Sequence, residues 1–322
     1  MLDLAAANLT SPMILSFVLG LLAALARSDL SIPEAIAKGM SIYLLFAIGF
    51  KGGVSLNGHG LDAQLLGALL AGIVLSAALP FAAFALLGVM TRLSVLDRGA
   101  VAAHYGSISI VTFVTAISVL QSAGLEHEGY MVAVAAAMEA PAILSALWLV
   151  ARQQGGVRDQ GHLMREILLN GSIVLLVGAF AIGWITGPSG QAQIDALITA
   201  PFKGILCLFL LDMGLVAGRG LRAAGGILTP GLVAFGMLMP VLGSLAGLAL
   251  ALPLGLTAGG AMLMATLAAS ASYIAVPAAM RVALPEANPS VYLTLSLGIT
   301  FPFNLTLGLP LYLALAEALT KG

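Results

Sequence analysis

Long apolar segments follow one another along the whole chain, and short breaks that contain charged residues, Gly or Pro separate them. Because the apolar core of a bilayer is about 30 Å thick, an α-helix needs about 20 apolar residues to cross it. The segments are continuously rich in Leu and Ala, whereas the strands of a membrane barrel would alternate apolar and polar residues. The pattern predicts an all-α polytopic membrane protein with ten spans, at about 11–26, 33–50, 63–89, 98–121, 129–151, 165–186, 195–217, 227–252, 258–282 and 290–317.

The composition supports this class and excludes others. Hydrophobic residues make up 60% of the chain and charged residues 8%, whereas about a quarter of the residues in an ordinary soluble domain are charged. The net charge of −1 offers no basic surface, so nucleic acid is not an expected partner. Cys207 is the single cysteine, and its apolar surroundings indicate packing. The first residues lack the basic region of a signal peptide, so residues 1–322 are expected to form the mature chain.

The positions of the arginines predict how the chain is oriented. Short cytoplasmic connections retain Lys and Arg during insertion into the membrane. The odd-numbered connections between the predicted spans carry the arginines, and the even-numbered connections carry acidic residues instead. We therefore expect the odd-numbered connections in the cytoplasm and both termini outside it. The arginines are Arg27, Arg92, Arg98, Arg152, Arg158, Arg165, Arg219, Arg222 and Arg281.

Sparse features of the first half recur in the second half at a nearly constant spacing. The members of each pair lie 160 to 163 residues apart, which is about half of the 322-residue chain. This spacing predicts an internal duplication, with a first repeat over 1–155, a cytoplasmic linker over 156–164 and a second repeat over 165–322. The pairs are Gly53 and Gly214, Pro80 and Pro240, Gly99 and Gly260, Ser107 and Ser270, and Pro141 and Pro302.

Each predicted repeat contains five spans, which is an odd number, so the second copy would enter the membrane in the opposite orientation. Inverted repeats of this kind are typical of secondary transporters that work by alternating access. Their binding sites lie near the middle of the bilayer, between the two repeats. The sequence therefore predicts a 5+5 inverted repeat with a central site.

Two polar interruptions, HYGSISIVTFVT (104–115) and LAASASYIAVPAA (267–279), fall within spans 4 and 9. Closely spaced hydroxyl residues beside Gly or Pro weaken a continuous helix, and a break would expose free N–H groups at the positive end of a helix dipole. Two such ends form an anion site. The alternative interpretation is close helix packing through small residues, but the recurrence at the repeat spacing favours binding. The candidate anion ligands are Gly106, Ser107, Ser109, Ser270, Ala271 and Ser272.

Glu139 is the acidic residue of a span that is otherwise uncharged, and ionisable residues at that depth are costly and usually functional. The alternative interpretation is a protonated Glu139 that bonds to backbone groups freed by Pro141. Carboxylate, hydroxyl and amide oxygens suit Na⁺, a hard cation. Thr300 is the repeat counterpart of Glu139, Asn304 follows one turn later, and Thr112 can face the same cavity. The candidate cation ligands are Thr112, Glu139, Thr300 and Asn304, with Ser109, Glu139 and Asn304 as candidates for Na⁺.

Lys51 and Asp212 occupy equivalent positions in the two predicted repeats, where each ends a span beside glycine. We interpret them as gate residues at opposite membrane surfaces, with no salt bridge between them; the alternative is snorkelling at helix ends. No HExxH pattern and no P-loop occurs in the sequence, which argues against a metalloprotease and against ATP-driven transport. Neither a nucleophile with a paired base nor two facing aspartates is evident, so we expect no enzyme, and no cofactor apart from Na⁺ as a coupling ion.

The chain resembles the sodium-dependent bicarbonate transporter family known from cyanobacteria and found in other bacteria. The resemblance rests on FKGGVSL (50–56), AAHYGSISIVTFVTA (102–116), MEAPAI (138–143), ASASYIAVPAAMR (269–281) and the ten-span length. It implies Na⁺-coupled uptake of bicarbonate across the bacterial inner membrane. The alternative that the residues leave open is a Na⁺- or H⁺-coupled carrier of another small anion, such as a short carboxylate.

The same resemblance implies an architecture and partners. The expected core domain contains helices 3–5 and 8–10, with crossed discontinuous helices 4 and 9, and the expected gate domain contains helices 1, 2, 6 and 7. A homotrimer in membrane lipid and a PII-like cytoplasmic regulator are also implied. The loop over 151–164 is shorter than the corresponding loop of the cyanobacterial members, which leaves binding of the regulator open.

Overall fold

The computed structural model describes residues 10–59, 62–154, 171–223, 228–273 and 275–320, and the predicted linker over 156–164 lies outside them. Within these ranges the chain is helical and contains no strand. The helices are α1 Pro12–Leu25, α2 Glu34–His59, α3 Ala63–Met90, α4 Val95–Gly106, α5 Ile110–Ser122, α6 Met131–Ala137, α7 Pro141–Gln154, α8 Gly171–Ile198, α9 Phe202–Ala223, α10 Pro230–Ala251, α11 Ala258–Ala269, α12 Ala275–Ala283 and α13 Pro289–Thr320.

Most of these helices are long and apolar enough to cross a membrane. In the described part of the chain eight spans meet this condition, when α4 with α5, and α6 with α7, are each taken as one span. The helices α1 and α11 are apolar but shorter, and α13 contains π-helical turns at Thr294–Thr300 and Asn304–Gly308. The structure therefore confirms a multi-pass helical membrane protein, and the ten-span inverted repeat stays a prediction.

Two predicted boundaries were wrong. The second span was expected to end at residue 50, but α2 continues to His59. The seventh was expected to start at residue 195, but α8 extends to Ile198 and α9 begins at Phe202. Within α8, Gly187 adopts a left-handed conformation (φ 57°) before Pro188 and kinks the helix, after which a polar helical segment follows. Hydropathy does not detect such a segment because it is short and mostly small or polar up to Asp195, although Ile194 and Ile198 pack into a core cluster.

Glycines allow α1 to pack closely on α9, and α2 on α8. A Cβ atom added to Gly53 would lie 1.9 Å from the Phe180 carbonyl oxygen, and one added to Gly183 would lie 2.0 Å from that of Phe50. Gly20 approaches the backbone of α9 in the same way. Close backbone contact through small residues is a common mode of helix association in membranes. These are the four helices of the predicted gate domain.

The remaining helices surround the two polar interruptions. α4 packs on α3 and α7, α11 packs on α10 and on the end of α13, and α3 contacts α10. Pro80 and Pro240 are buried inside α3 and α10. Gly106, the last residue of α4, lies against Pro80, whose Cγ would be 2.4 Å from an added Cβ. Gly243 lies equally close to the Ala268 carbonyl, so both interruptions sit against a helix that allows close approach.

Candidate anion and cation site

The first interruption separates α4 from α5. Ser107 (φ −86°, ψ 171°) and Ser109 (φ −102°, ψ 106°) are extended, so the helix stops at Gly106 and resumes at Ile110. The Ser109 hydroxyl accepts hydrogen bonds from the Thr112 N–H (3.2 Å) and the Thr112 hydroxyl (2.9 Å). A serine that accepts from the first turn is a favourable N-cap. The predicted break in span 4 is therefore confirmed, and Ser109 stabilises the new helix start.

The second interruption separates α11 from α12 and is built in the same way. Ser270 is extended (φ −84°, ψ 159°), and the helix resumes at Ala275. The Ser272 hydroxyl accepts a hydrogen bond from the Val276 N–H at 3.4 Å. The predicted break in span 9 is likewise confirmed, and Ser272, three residues before the start of α12, accepts from its first turn.

The two interruptions contact each other directly in the buried interior. The Ser109 N–H donates to the Ser270 hydroxyl (2.9 Å), across 161 residues of sequence. The Ser272 N–H donates to the His104 carbonyl (2.8 Å). The exposed fraction of each of the four serines is 3% or less. The structure thus brings the serines predicted from the two halves together at one place.

The hydrogen atoms of the four serine hydroxyls differ in availability. Ser107 donates to Glu139 Oε2 (3.1 Å), and Ser270 donates to the Leu267 carbonyl (2.9 Å). Ser109 and Ser272 act only as acceptors in the hydrogen bonds found among the described residues. A hydroxyl group has one donor hydrogen, and in these hydrogen bonds Ser109 and Ser272 do not use theirs.

Glu139 lies between α6 and α7, buried beside the first interruption. The backbone groups around Pro141 do not depend on its side chain, because Ser76 serves them. The Ser76 hydroxyl donates to the Met138 carbonyl (2.6 Å) and accepts from the Ala142 N–H (3.1 Å). Within the described residues, the Glu139 carboxylate accepts a hydrogen bond from the Ser107 hydroxyl. This geometry favours a functional carboxylate over the alternative of a local backbone partner.

A narrow pocket with a free volume of about 10 Å³, room for about one water molecule, lies where the interruptions face α2. It joins three predicted residues, Ser109, Glu139 and Ser272, and none of its described lining residues is cationic. Sequence reasoning missed the other lining residues. Ile108 and Tyr273 lie inside the polar interruptions, so their positions could have indicated that they line the site. Nothing in the sequence indicated Leu45, which comes from α2. The missed residues are Leu45, Ile108, Ile110, Tyr273 and Ala275.

Thr300 and Asn304 are buried near the interruptions, but they do not line this pocket. The Thr300 hydroxyl donates to the Gly236 carbonyl (2.7 Å) and accepts from the Tyr105 phenol. The Asn304 amide donates to the Ala269 carbonyl at the end of α11 (3.0 Å) and accepts from the Tyr312 phenol (2.7 Å). Both residues connect helices, and their role as cation ligands stays a prediction.

Lys51 and Asp212 do not end their spans, and that prediction was wrong. Lys51 lies inside α2 with its ammonium group 5.2 Å from the centre of the Phe202 ring, and Asp212 is buried inside α9. The glycines that follow them were read as helix ends, but both helices continue. Their role as gate residues stays a prediction. In the described ranges no cluster of three His, Cys, Asp or Glu residues could hold a metal ion.

A sequence model of the Na⁺-dependent bicarbonate transporter superfamily matches residues 12–317. The chain belongs to this superfamily. The match spans both interruptions and every helix lining the pocket, and membership identifies a transporter rather than an enzyme. A search of curated proteins gave no match to the chain. The superfamily thus supports bicarbonate and Na⁺ as the transported species, and the pocket is the place to look for them.

Proposed function

We propose that this protein is a secondary active transporter that couples the entry of Na⁺ to the uptake of bicarbonate by alternating access. The observation that carries the proposal is the pocket between the two interruptions and α2, where Ser109, Ser272 and Glu139 meet. A buried site with anion donors and a carboxylate, in a member of this superfamily, has the groups needed for both ions.

The anion is held by the starts of α5 and α12. The first N–H groups of a helix have no partner inside it, and the dipole places partial positive charge there. Ile110 and Ala275 are the first residues of these two helices, and both line the pocket. Together with the hydroxyls of Ser109 and Ser272, their N–H groups suit a small monoanion without any cationic side chain.

Glu139 makes anion binding depend on a cation. Two like charges about 4 Å apart repel by about 4 kcal/mol at an effective dielectric constant of about 20. An ionised Glu139 and a bicarbonate ion in one small pocket therefore exclude each other unless a cation binds with them. A Na⁺ ion beside the carboxylate removes this repulsion, and by linkage each ion then raises the affinity for the other. The proposed further oxygen ligands of Na⁺ are those of Ser109 and its neighbour Thr112, together with Thr300 and Asn304, which do not line the pocket in this conformation and would reach the ion only after the helices move.

The proposed transport cycle moves the two domains relative to each other. Leu45 comes from α2, in the predicted gate domain, and the other lining residues come from the predicted core domain. Sliding of the core, with its crossed helices, along the gate would open the pocket first to one side and then to the other. The proposal includes the 5+5 inverted repeat, a homotrimer in the bacterial inner membrane and both termini outside the cytoplasm. A PII-like regulator would contact the cytoplasmic loop, which falls mostly outside the described residues.

The deciding experiment is uptake of radiolabelled bicarbonate by proteoliposomes with an inward Na⁺ gradient, compared with an equal K⁺ gradient. We expect accumulation that needs Na⁺ and that disappears when a Na⁺ ionophore collapses the gradient. Formate and acetate serve as competitors, and a pH gradient replaces Na⁺ in a third arm. Uptake driven equally well by protons, or a preference for a short carboxylate, would replace the proposal with the alternative carrier.

A further inference from the structure

Tyr273 presents a buried phenol whose hydroxyl has no hydrogen-bond partner among the described residues. The residue follows Ser272 in the second interruption and lines the pocket. Ser109, on the opposite interruption, lies near this hydroxyl, but no hydrogen bond joins the two. The ring packs edge-on against Phe301, with 5.2 Å between the ring centres. The phenol is therefore held in place while its polar end is left unsatisfied.

Other buried tyrosines of the chain do not share this property. The phenols of Tyr105, Tyr130 and Tyr312 bond to Thr300, Gln64 and Asn304. Buried polar groups without a partner are rare, because each loses its bonds to water without replacement. An unsatisfied donor on the wall of a binding pocket is the arrangement expected when the partner is a ligand.

We propose that Tyr273 donates a hydrogen bond to the transported anion and favours small anions that present an acceptor oxygen toward Ser109. This inference rests on the proposed function and names a further residue of the same site. The oxygen would lie between the Tyr273 phenol and the start of α5, where Ser109 retains a free hydroxyl hydrogen. An ion without directional acceptor lone pairs, such as chloride, gains less from a fixed phenol than a planar oxyanion does.

The test replaces Tyr273 with Phe, which keeps the ring contact with Phe301 and removes only the hydroxyl. In proteoliposomes at saturating Na⁺ we expect the KM for bicarbonate to rise about tenfold or more, as for loss of a hydrogen bond to a charged group. The melting temperature of the ligand-free protein should not fall, because no bond within the protein is lost. A structural role for the hydroxyl would produce the reverse, a lower melting temperature with an unchanged KM.

Tyr130→Phe is the matched control. It also removes one buried phenol hydroxyl, but that hydroxyl bonds to Gln64 (2.8 Å) away from the pocket. We expect a lower melting temperature and an unchanged KM for this variant. A Tyr273→Phe variant whose KM stays within twofold of the wild type overturns the inference.

A second measurement, on the wild type as well as the variant, distinguishes a failure of this inference from a failure of the proposed function. The increase in melting temperature caused by bicarbonate, formate, nitrate and chloride is measured for the wild type and for Tyr273→Phe. If the wild type transports formate and not bicarbonate, the proposed substrate is wrong, and the phenol is judged on formate. If no oxyanion stabilises the wild type more than the Phe variant, the role of Tyr273 is wrong.

Discussion

Ser109 combines several contacts at the first interruption. Its hydroxyl accepts two hydrogen bonds from Thr112 and caps α5, and its N–H group donates to Ser270 in the other half of the chain. The residue also lines the pocket, and its hydroxyl hydrogen is not donated in these hydrogen bonds. The hydroxyl oxygen of Ser109 therefore stabilises the start of α5, and its backbone N–H joins the two interruptions. Its hydroxyl hydrogen is available to an anion. Ser107 and Ser270 lack the last property because their hydrogens are already donated.

This difference between the serines predicts different kinetic effects. Ser272→Ala removes a free donor to a charged ligand, so the KM for bicarbonate should rise about tenfold or more. Ser107→Ala removes the partner of Glu139 and should change the Na⁺ dependence more than the KM for bicarbonate. Uptake in proteoliposomes, titrated separately with each ion, distinguishes the two. Equal effects of both variants on both titrations would contradict the assignment.

Glu139→Gln tests the coupling role of the carboxylate. The amide has nearly the same shape and its carbonyl oxygen can still accept from Ser107, so the fold should be retained. Without the charge, repulsion of the anion disappears and Na⁺ loses its strongest ligand. We expect bicarbonate binding that depends less on Na⁺, and at least a tenfold higher Na⁺ concentration for half-maximal uptake. An unchanged Na⁺ titration would show that Glu139 does not participate in coupling.

At the scale of the helices, what the sequence predicts depends on whether the signal is local. The breaks at 107–109 and 270–273 were predicted because hydroxyl residues beside Gly or Pro weaken a helix in any context. The end of α8 was not, because a polar helical segment continues beyond the kink at Gly187. The end of α2 was not, because glycine carries two meanings. It can end a helix, or it can allow two helices to approach closely, and a single sequence does not say where the neighbouring helix lies. Leu45 was missed for the same reason, since its position in the pocket depends on packing between distant helices.

The packing of α2 on α8 can be tested through its glycines. Gly53→Ala and Gly183→Ala would place a Cβ about 2 Å from a backbone carbonyl oxygen of the other helix. A backbone carbonyl cannot move aside as a flexible side chain can. Each of the two substitutions should therefore lower the free energy of unfolding by about 1–3 kcal/mol or more. The control is Gly178→Ala on the same helix α8, where an added Cβ meets nothing within 4 Å. It should be neutral or stabilising, and thermal unfolding in detergent compares all three.

At the scale of the molecule, apolar side chains stay exposed along several helices, among them Leu70, Val89 and Ile185. Such surfaces suit lipid or a neighbouring copy of the chain, as expected for a protein with these spans.

The orientation of the chain in the membrane was predicted from a few charged residues, and it can be tested without a transport assay. Alkaline phosphatase fused to the carboxyl terminus should be active, because the proposed topology places that terminus outside the cytoplasm. Green fluorescent protein fused at the same position should not fluoresce, because it would be exported by the Sec pathway. Fluorescence with an inactive phosphatase would invert the proposed topology.

The hydrogen bond between Ser109 and Ser270 joins residues from the two halves of the chain, and the same division runs through the pocket. Ser109 and Glu139 precede the predicted linker, whereas Ser272 and Tyr273 follow it. Neither half alone therefore carries a complete binding site. A gene split within 156–164 should yield two inactive fragments, and coexpression should restore uptake only when both fragments assemble. Transport should therefore require both halves in the same cell, wherever within the linker the chain is divided.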